Sequence, residues 1–125
     1  MLSLKSRIFL SKKIIGNNRK IKIKNYDIFL KSNKTIELLK FIKKKNKKNK
    51  LYFIMGSDNL LKFHKWDGWD QFQSICSIVI FPRTGYFNKT FACKAYKFLK
   101  KEKLIFLKSK IANISSSKIR KNYLV

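Results

Sequence analysis

Cysteine, arginine, acidic side chains and long apolar runs are all scarce in this chain of 125 residues. The two cysteines, Cys76 and Cys93, supply neither a zinc-binding set nor a disulfide framework, and a reducing, cytosolic setting follows as the default. No apolar run approaches the roughly 20 residues that a membrane span needs. Residues 1–10 carry Lys5 and Arg7 among their apolar side chains, which makes a poor secretory signal. Only 6 acidic residues face 31 basic ones, for a net charge of +25. Charge of that density suits phosphate backbones, so a lysine-rich nucleic-acid-binding protein without catalytic activity is one reading. Two observations weigh against it. Just 4 of the 31 basic residues are arginine, the side chain on which specific readers of phosphates and bases rely. The abundant Lys, Asn, Ile and Phe also share A- or T-rich codons, so biased base composition accounts for much of the charge. The lysine run over residues 43–50 then reads as a solvated helix end and loop.

What the chain does contain is a globular composition, 45% hydrophobic with 11 Phe, 5 Tyr and 2 Trp, enough for one modest core. Apolar residues at Leu4, Ile8, Leu10, Ile14 and Ile15 predict a helix ending near Gly16. Strict alternation over residues 20–24 predicts a short strand. Residues 35–42 predict an amphipathic helix, with Thr35 as its cap and Glu37 in the first turn. The unbroken apolar run 51–55 predicts a strand covered on both faces, stopping at a turn over Gly56, Ser57, Asp58 and Asn59. Residues 60–72 read as short, aromatic-rich helical or irregular structure. A strand over 77–81 is closed by Pro82 and a loop from Arg83 to Tyr86, and helical spacing over 90–101 leads to a strand at 104–107.

Residues 114–120 (ISSSKIR) read as a loop and the start of a last helix capped by serine. A helix start exposes unpaired N–H groups and a positive dipole end, and Arg120 adds a charged fork one turn on, so the segment suits a phosphate. Strands alternating with helices predict an α/β fold with a parallel sheet, and ligands at the carboxyl ends of its strands.

Four stretches form an ordered series: Tyr52-Phe53-Ile54-Met55-Gly56-Ser57-Asp58-Asn59-Leu60, Phe63-His64-Lys65-Trp66, Phe81-Pro82-Arg83-Thr84-Gly85-Tyr86, and residues 114–120. The series closely resembles the bacterial nicotinate-nucleotide adenylyltransferases, whose pattern runs "yfIiGaDnl..fhkW", "vf.RpGy" and "ISSTxIR" in the same order. Residues 35–39 look like the family's "YTxDTL" helix start, and residues 21–27 like its preceding strand, with Asp27 in place of a glutamate. The likeness implies a Rossmann-like nucleotidyltransferase fold, with residues 1–125 as a single partial domain, roughly the C-terminal two-thirds. The first strands and the "GGxFDPxHxGH" segment, whose two histidines hold the ATP phosphates in the family, have no counterpart here. His64 belongs to a different motif and is expected to be a partly buried, aromatic-like residue. In the strand order 3-2-1-4-5-6 the likeness leaves the run at 51–55 with an unpaired edge.

The resemblance further implies transfer of the adenylyl group of ATP to nicotinate mononucleotide in NAD biosynthesis, with Mg²⁺ bridging the phosphates, in a cytoplasmic enzyme. For this chain by itself it implies little or no activity. ATP would be bound by Gly56, Asp58, Ser115, Ser116, Ser117 and Arg120, Ser117 replacing a family threonine. Nicotinate mononucleotide would be bound by Thr35, Trp66 and Arg83, with the Trp66 ring flat on the pyridine.

Overall fold

The computed structural model describes residues 2–108. Ser115, Ser116, Ser117, Arg120 and the last helix expected around them lie outside the described residues. The chain divides into two compact units, Met1–Asn33 and Lys34–Val125.

In the first unit, helix α1 (Leu4–Ile15) forms where the apolar spacing predicts it. Ser3 caps it by accepting a hydrogen bond from the Ser6 N–H, and Gly16 ends it. None of its side chains is buried, and Phe9 and Ile14 stand largely in solvent. A single turn, α2 (Asp27–Leu30), follows. The strand expected over residues 20–24 does not form: residue 20 lies in a turn, residues 21–24 are irregular, and Ile21 is exposed. Alternation makes a strand only where a neighbouring ladder accepts its N–H and C=O groups, and no described strand pairs with this segment.

The second unit opens with α3 (Thr35–Lys45), which buries Ile36 and Leu39. Glu37 lies in its first turn and Lys43, Lys44 and Lys45 in its last, matching the helix dipole at both ends. Strand β1 (Tyr52–Gly56) then runs straight into α4 (Ser57–Lys62), so the expected turn at Gly56 to Asn59 is instead a strand end and a helix start. Short helical turns follow over Phe63–Lys65 and Trp69–Gln71, leading into α5 (Phe72–Ile75) and β2 (Ser77–Phe81). The helix expected over 90–101 is broken into a 3₁₀ segment, Phe87–Ala92, and α6 (Lys94–Phe98). Cys93 separates them: its backbone is extended, and its thiol takes the cap position, accepting from the Tyr96 N–H. Strand β3 (Leu104–Phe106) completes a parallel three-stranded sheet in the order β1-β2-β3. Tyr52 pairs with Ser77, Gly56 with Phe81, and Ile78 with Leu104.

One face of the sheet builds the core. Met55, Ile78, Ile80 and Leu104 point into it and meet Leu60, Phe63 and Phe72. Phe63 contacts Phe72 edge-on at 4.7 Å between centroids and Trp66 at 5.3 Å, so an aromatic cluster sits within an otherwise aliphatic core. The opposite face carries Tyr52 and Ile54, which are 51% and 56% exposed, beside Phe81 and Ile105. The expectation that β1 is covered on both faces is therefore wrong among the described residues. A wholly apolar run does not distinguish one covered face from two.

Gly68 has φ +65, and a β-carbon there would lie 2.9 Å from Ile36 Cγ1, a side chain packed in the core. Gly68→Ala combines left-handed strain with a collision, and should lower stability by about 1–3 kcal/mol in urea unfolding. A change under roughly 0.5 kcal/mol would show that the loop moves aside freely.

Cys76 is buried at the start of β2, its thiol donating to the Phe72 carbonyl at 3.4 Å. Burial pushes the thiol up from 9.0 to about 11, against the opposing charge of Lys103. A folded-state value above the unfolded one means that its stabilising effect is complete below pH 9 and is lost between about pH 9 and 11. Iodoacetamide at pH 8 should modify Cys76 slowly in the native protein and rapidly in urea, read by peptide mass. Equal rates would refute its burial.

Candidate functional site

Three of the sequence-expected residues meet at the carboxyl ends of β1 and β2. Gly56 is the last residue of β1, Asp58 sits in the first turn of α4, and Arg83 follows β2 after Pro82. Arg83 Nη1 donates to Asp58 Oδ2 at 3.0 Å, with the two side chains 34% and 26% exposed. A β-carbon on Gly56 would fall 2.5 Å from Asp58 Oδ1 and 3.1 Å from Arg83 Nε. Only glycine leaves room for the ion pair to lie against the strand end. Asp58 Oδ1 is buried and has no hydrogen-bond partner among the described residues.

Ser57 holds this arrangement and had been assigned no role from sequence. It is fully buried, and its Oγ accepts the Arg83 backbone N–H at 2.8 Å, tying the start of α4 to the loop after β2. Its sequence signal is a hydroxyl directly after a strand-ending glycine, which is invisible until the second strand end is in place.

Thr35 and Trp66 lie on a second pair of elements. Thr35 is half-buried as the first residue of α3 and is not its cap. Lys34 takes the cap position with extended backbone, and its ammonium reaches Asp67 at 3.3 Å. Trp66 is half-buried at the end of the Phe63–Lys65 turn. Its ring meets Phe53, Phe63 and Phe72 in edge-type contacts at 6.1, 5.3 and 6.2 Å. The Lys34–Asp67 pair and the contact of Gly68 with Ile36 join the start of α3 to the Trp66 segment. His64 is half-buried as expected, and its Nδ1 is buried without a hydrogen-bond partner among the described residues. Among the described residues no three His, Cys, Asp or Glu side chains converge as a metal would require, and no helix is long and apolar enough to cross a membrane.

The strand-end cluster therefore presents one guanidinium and one carboxylate side by side over open backbone. A guanidinium grips phosphate or carboxylate oxygens, whereas a carboxylate accepts from hydroxyls or ring amines. A ligand carrying both kinds of group fits such a site, and nucleotides do.

The cytidylyltransferase-like family model matches residues 1–122. A probable nicotinate-nucleotide adenylyltransferase of Pelagibacter ubique (strain HTCC1062) is 46% identical over 118 residues, covering 94% of this chain and 65% of the relative. One from Aquifex aeolicus (strain VF5) is 31% identical over 119 residues, covering 92% of this chain and 71% of the relative. Among solved structures, Plasmodium falciparum nicotinic acid mononucleotide adenylyltransferase complexed with APC matches with a TM-score of 0.71 at 25% identity, over 97% of this chain and 62% of that one. The chain thus spans a little under two-thirds of the Pelagibacter relative and of the Plasmodium protein. The parallel sheet, the polar cluster at its strand ends and these matches agree: the chain belongs to the cytidylyltransferase-like family, and its relatives there are nicotinate-nucleotide adenylyltransferases.

Proposed function

We propose that this chain is a single partial nucleotidyltransferase domain, residues 1–125, of a nicotinate-nucleotide adenylyltransferase acting in the cytoplasm. A phosphate oxygen of nicotinate mononucleotide attacks the α-phosphorus of ATP, the bond to the β-phosphate breaks, and pyrophosphate leaves with deamido-NAD as product. Such a displacement needs positioning and charge neutralisation more than covalent help. The observation that carries the reading is the meeting of Gly56, Asp58 and Arg83 at adjacent strand ends, in a chain whose relatives bear this name. Asp58 accepts from the sugar or ring of ATP, and Gly56 lets the nucleotide approach the backbone. Arg83 and Thr35 hold the anionic mononucleotide, and Trp66 packs on its pyridine ring. Ser115, Ser116, Ser117 and Arg120 complete the grip on the ATP phosphates. Mg²⁺ would supply charge neutralisation on the triphosphate.

Titration of the chain with nicotinate mononucleotide, and separately with a generic DNA duplex at two salt concentrations, tests the reading. Mononucleotide binding that changes Trp fluorescence is the expected result. Steeply salt-dependent duplex binding with no mononucleotide binding would favour the basic nucleic-acid reading instead. Trp66→Ala should weaken the mononucleotide about ten-fold, from a stacking contribution of roughly 1–3 kcal/mol, and leave adenosine binding nearly unchanged. If it weakened adenosine alone, the two halves of the site would be exchanged.

A further inference from the structure

The ion pair between Arg83 and Asp58 is only half made. One nitrogen of the guanidinium, Nη1, meets one carboxylate oxygen, Oδ2. The other oxygen, Oδ1, is buried against Gly56 and accepts no hydrogen bond from the described residues. A pair built for stability alone would be expected to close as a bidentate fork, with both oxygens satisfied. Here each partner keeps capacity for a further bond, and both side chains remain open to solvent in part. The backbone beneath is fixed independently, because Ser57 Oγ takes the Arg83 N–H. The side chains are thus free to exchange partners while the two strand ends stay in place.

We infer that the Asp58–Arg83 pair is a partner-exchange latch that couples the two nucleotide half-sites, so that each substrate tightens the binding of the other. This rests on the proposed function, which assigns Arg83 to the anionic mononucleotide and Asp58 to the adenine nucleoside. Without ligands, Asp58 occupies the anion seat of Arg83, and Arg83 in turn holds one acceptor of Asp58. An incoming phosphate or carboxylate takes the guanidinium as a fork and releases Oδ2. Oδ2 of Asp58 then becomes available to a hydroxyl or amine donor of the second nucleotide. Reciprocity follows from linkage: a ligand that engages Asp58 must loosen its hold on Arg83 by the same factor. Because the pair is partly solvated, the coupling belongs at the low end of the usual range, about five-fold.

Calorimetric titration of the full chain reads this directly, with nicotinate mononucleotide as the anionic ligand and adenosine as an uncharged nucleoside. Saturating either should tighten the other about five-fold. Asp58→Asn keeps the shape of the side chain but frees Arg83. It should tighten the mononucleotide severalfold when adenosine is absent, and bring the coupling factor to one. A residue that merely contributed binding would not strengthen a ligand on removal of its charge. Arg83→Gln should weaken the mononucleotide and also abolish the coupling. Inorganic phosphate provides a probe independent of the substrate assignment: Asp58→Asn should tighten it severalfold, and adding Arg83→Gln should erase that gain. A phosphate gain with no binding of either nucleotide would sink the proposed function and leave the exchange standing. Nucleotides that bind without coupling, or an Asp58→Asn protein that holds mononucleotide and phosphate no more tightly, would overturn the latch.

Discussion

Phe63→Ala is expected to cost about 3–5 kcal/mol and to remove a large part of the stability available to a domain of this size. Phe63 is fully buried at the junction of α4 and the turn that presents Trp66. Its ring touches Phe72 at 4.7 Å, Trp66 at 5.3 Å and Trp69 at 6.1 Å. Removing it opens a cavity between three large rings that cannot collapse without disturbing one another. Because Trp66 leans on Phe63, the same change should weaken mononucleotide binding even in molecules that remain folded. Urea unfolding followed by far-ultraviolet circular dichroism measures the first effect and fluorescence titration the second. A loss below about 1 kcal/mol would mean that the aromatic cluster repacks around the gap.

The largest effect on ligand binding is expected from Gly56→Ala. The added methyl would stand 2.5 Å from Asp58 Oδ1 and 3.1 Å from Arg83 Nε, so the ion pair must part or the strand end must shift. Overpacking of this kind costs about 1–3 kcal/mol, and the displaced carboxylate and guanidinium no longer meet the ligand together. Binding of adenosine, which approaches the backbone that the methyl covers, should fall by more than about ten-fold, about 1.4 kcal/mol or more. Placing Gly56→Ala in an Asp58→Ala background removes the atom nearest the clash, and much of the lost stability should return. If the double variant is no more stable than additivity requires, the collision is not the cause.

How much of this was legible in the sequence differs from residue to residue. Strands β1 and β2 were readable because continuous apolar runs ending in Gly56 and Pro82 have little else to become. Residues 20–24 show the converse. Alternating lysine and isoleucine describe a strand with one wet face, yet a strand exists only where a ladder partner stands beside it, and that partner is not written locally. The break at Cys93 went unseen because Phe91, Ala92, Ala95 and Phe98 keep helical spacing across it, and a thiol acting as a cap gives no compositional signal. At the site, Gly56, Asp58 and Arg83 were each picked out by motif. Their contact was not, because Asp58 and Arg83 are 25 residues apart and were assigned to different substrates. The role of Ser57 is hidden in the sequence for the same reason: its partner is the backbone of Arg83, which only the sheet register brings near.

The sheet order β1-β2-β3 is also the order of synthesis, and the register places paired residues 25 or 26 positions apart at both junctions, Tyr52 with Ser77 and Ile78 with Leu104. Among the described residues, no strand of this sheet waits for a partner encoded later than its immediate successor. At about 5–20 residues per second, a ribosome delivers each new strand roughly 1–5 seconds after the one it joins. Closing a loop of this length is faster than that by many orders of magnitude, given about 10–100 ns for ten residues. Elongation rather than chain search therefore sets the pace of assembly for these three strands. Slowing translation between Gly56 and Ser77 would lengthen the time for which β1 waits on the nascent chain with the ladder edge that β2 takes still unpaired.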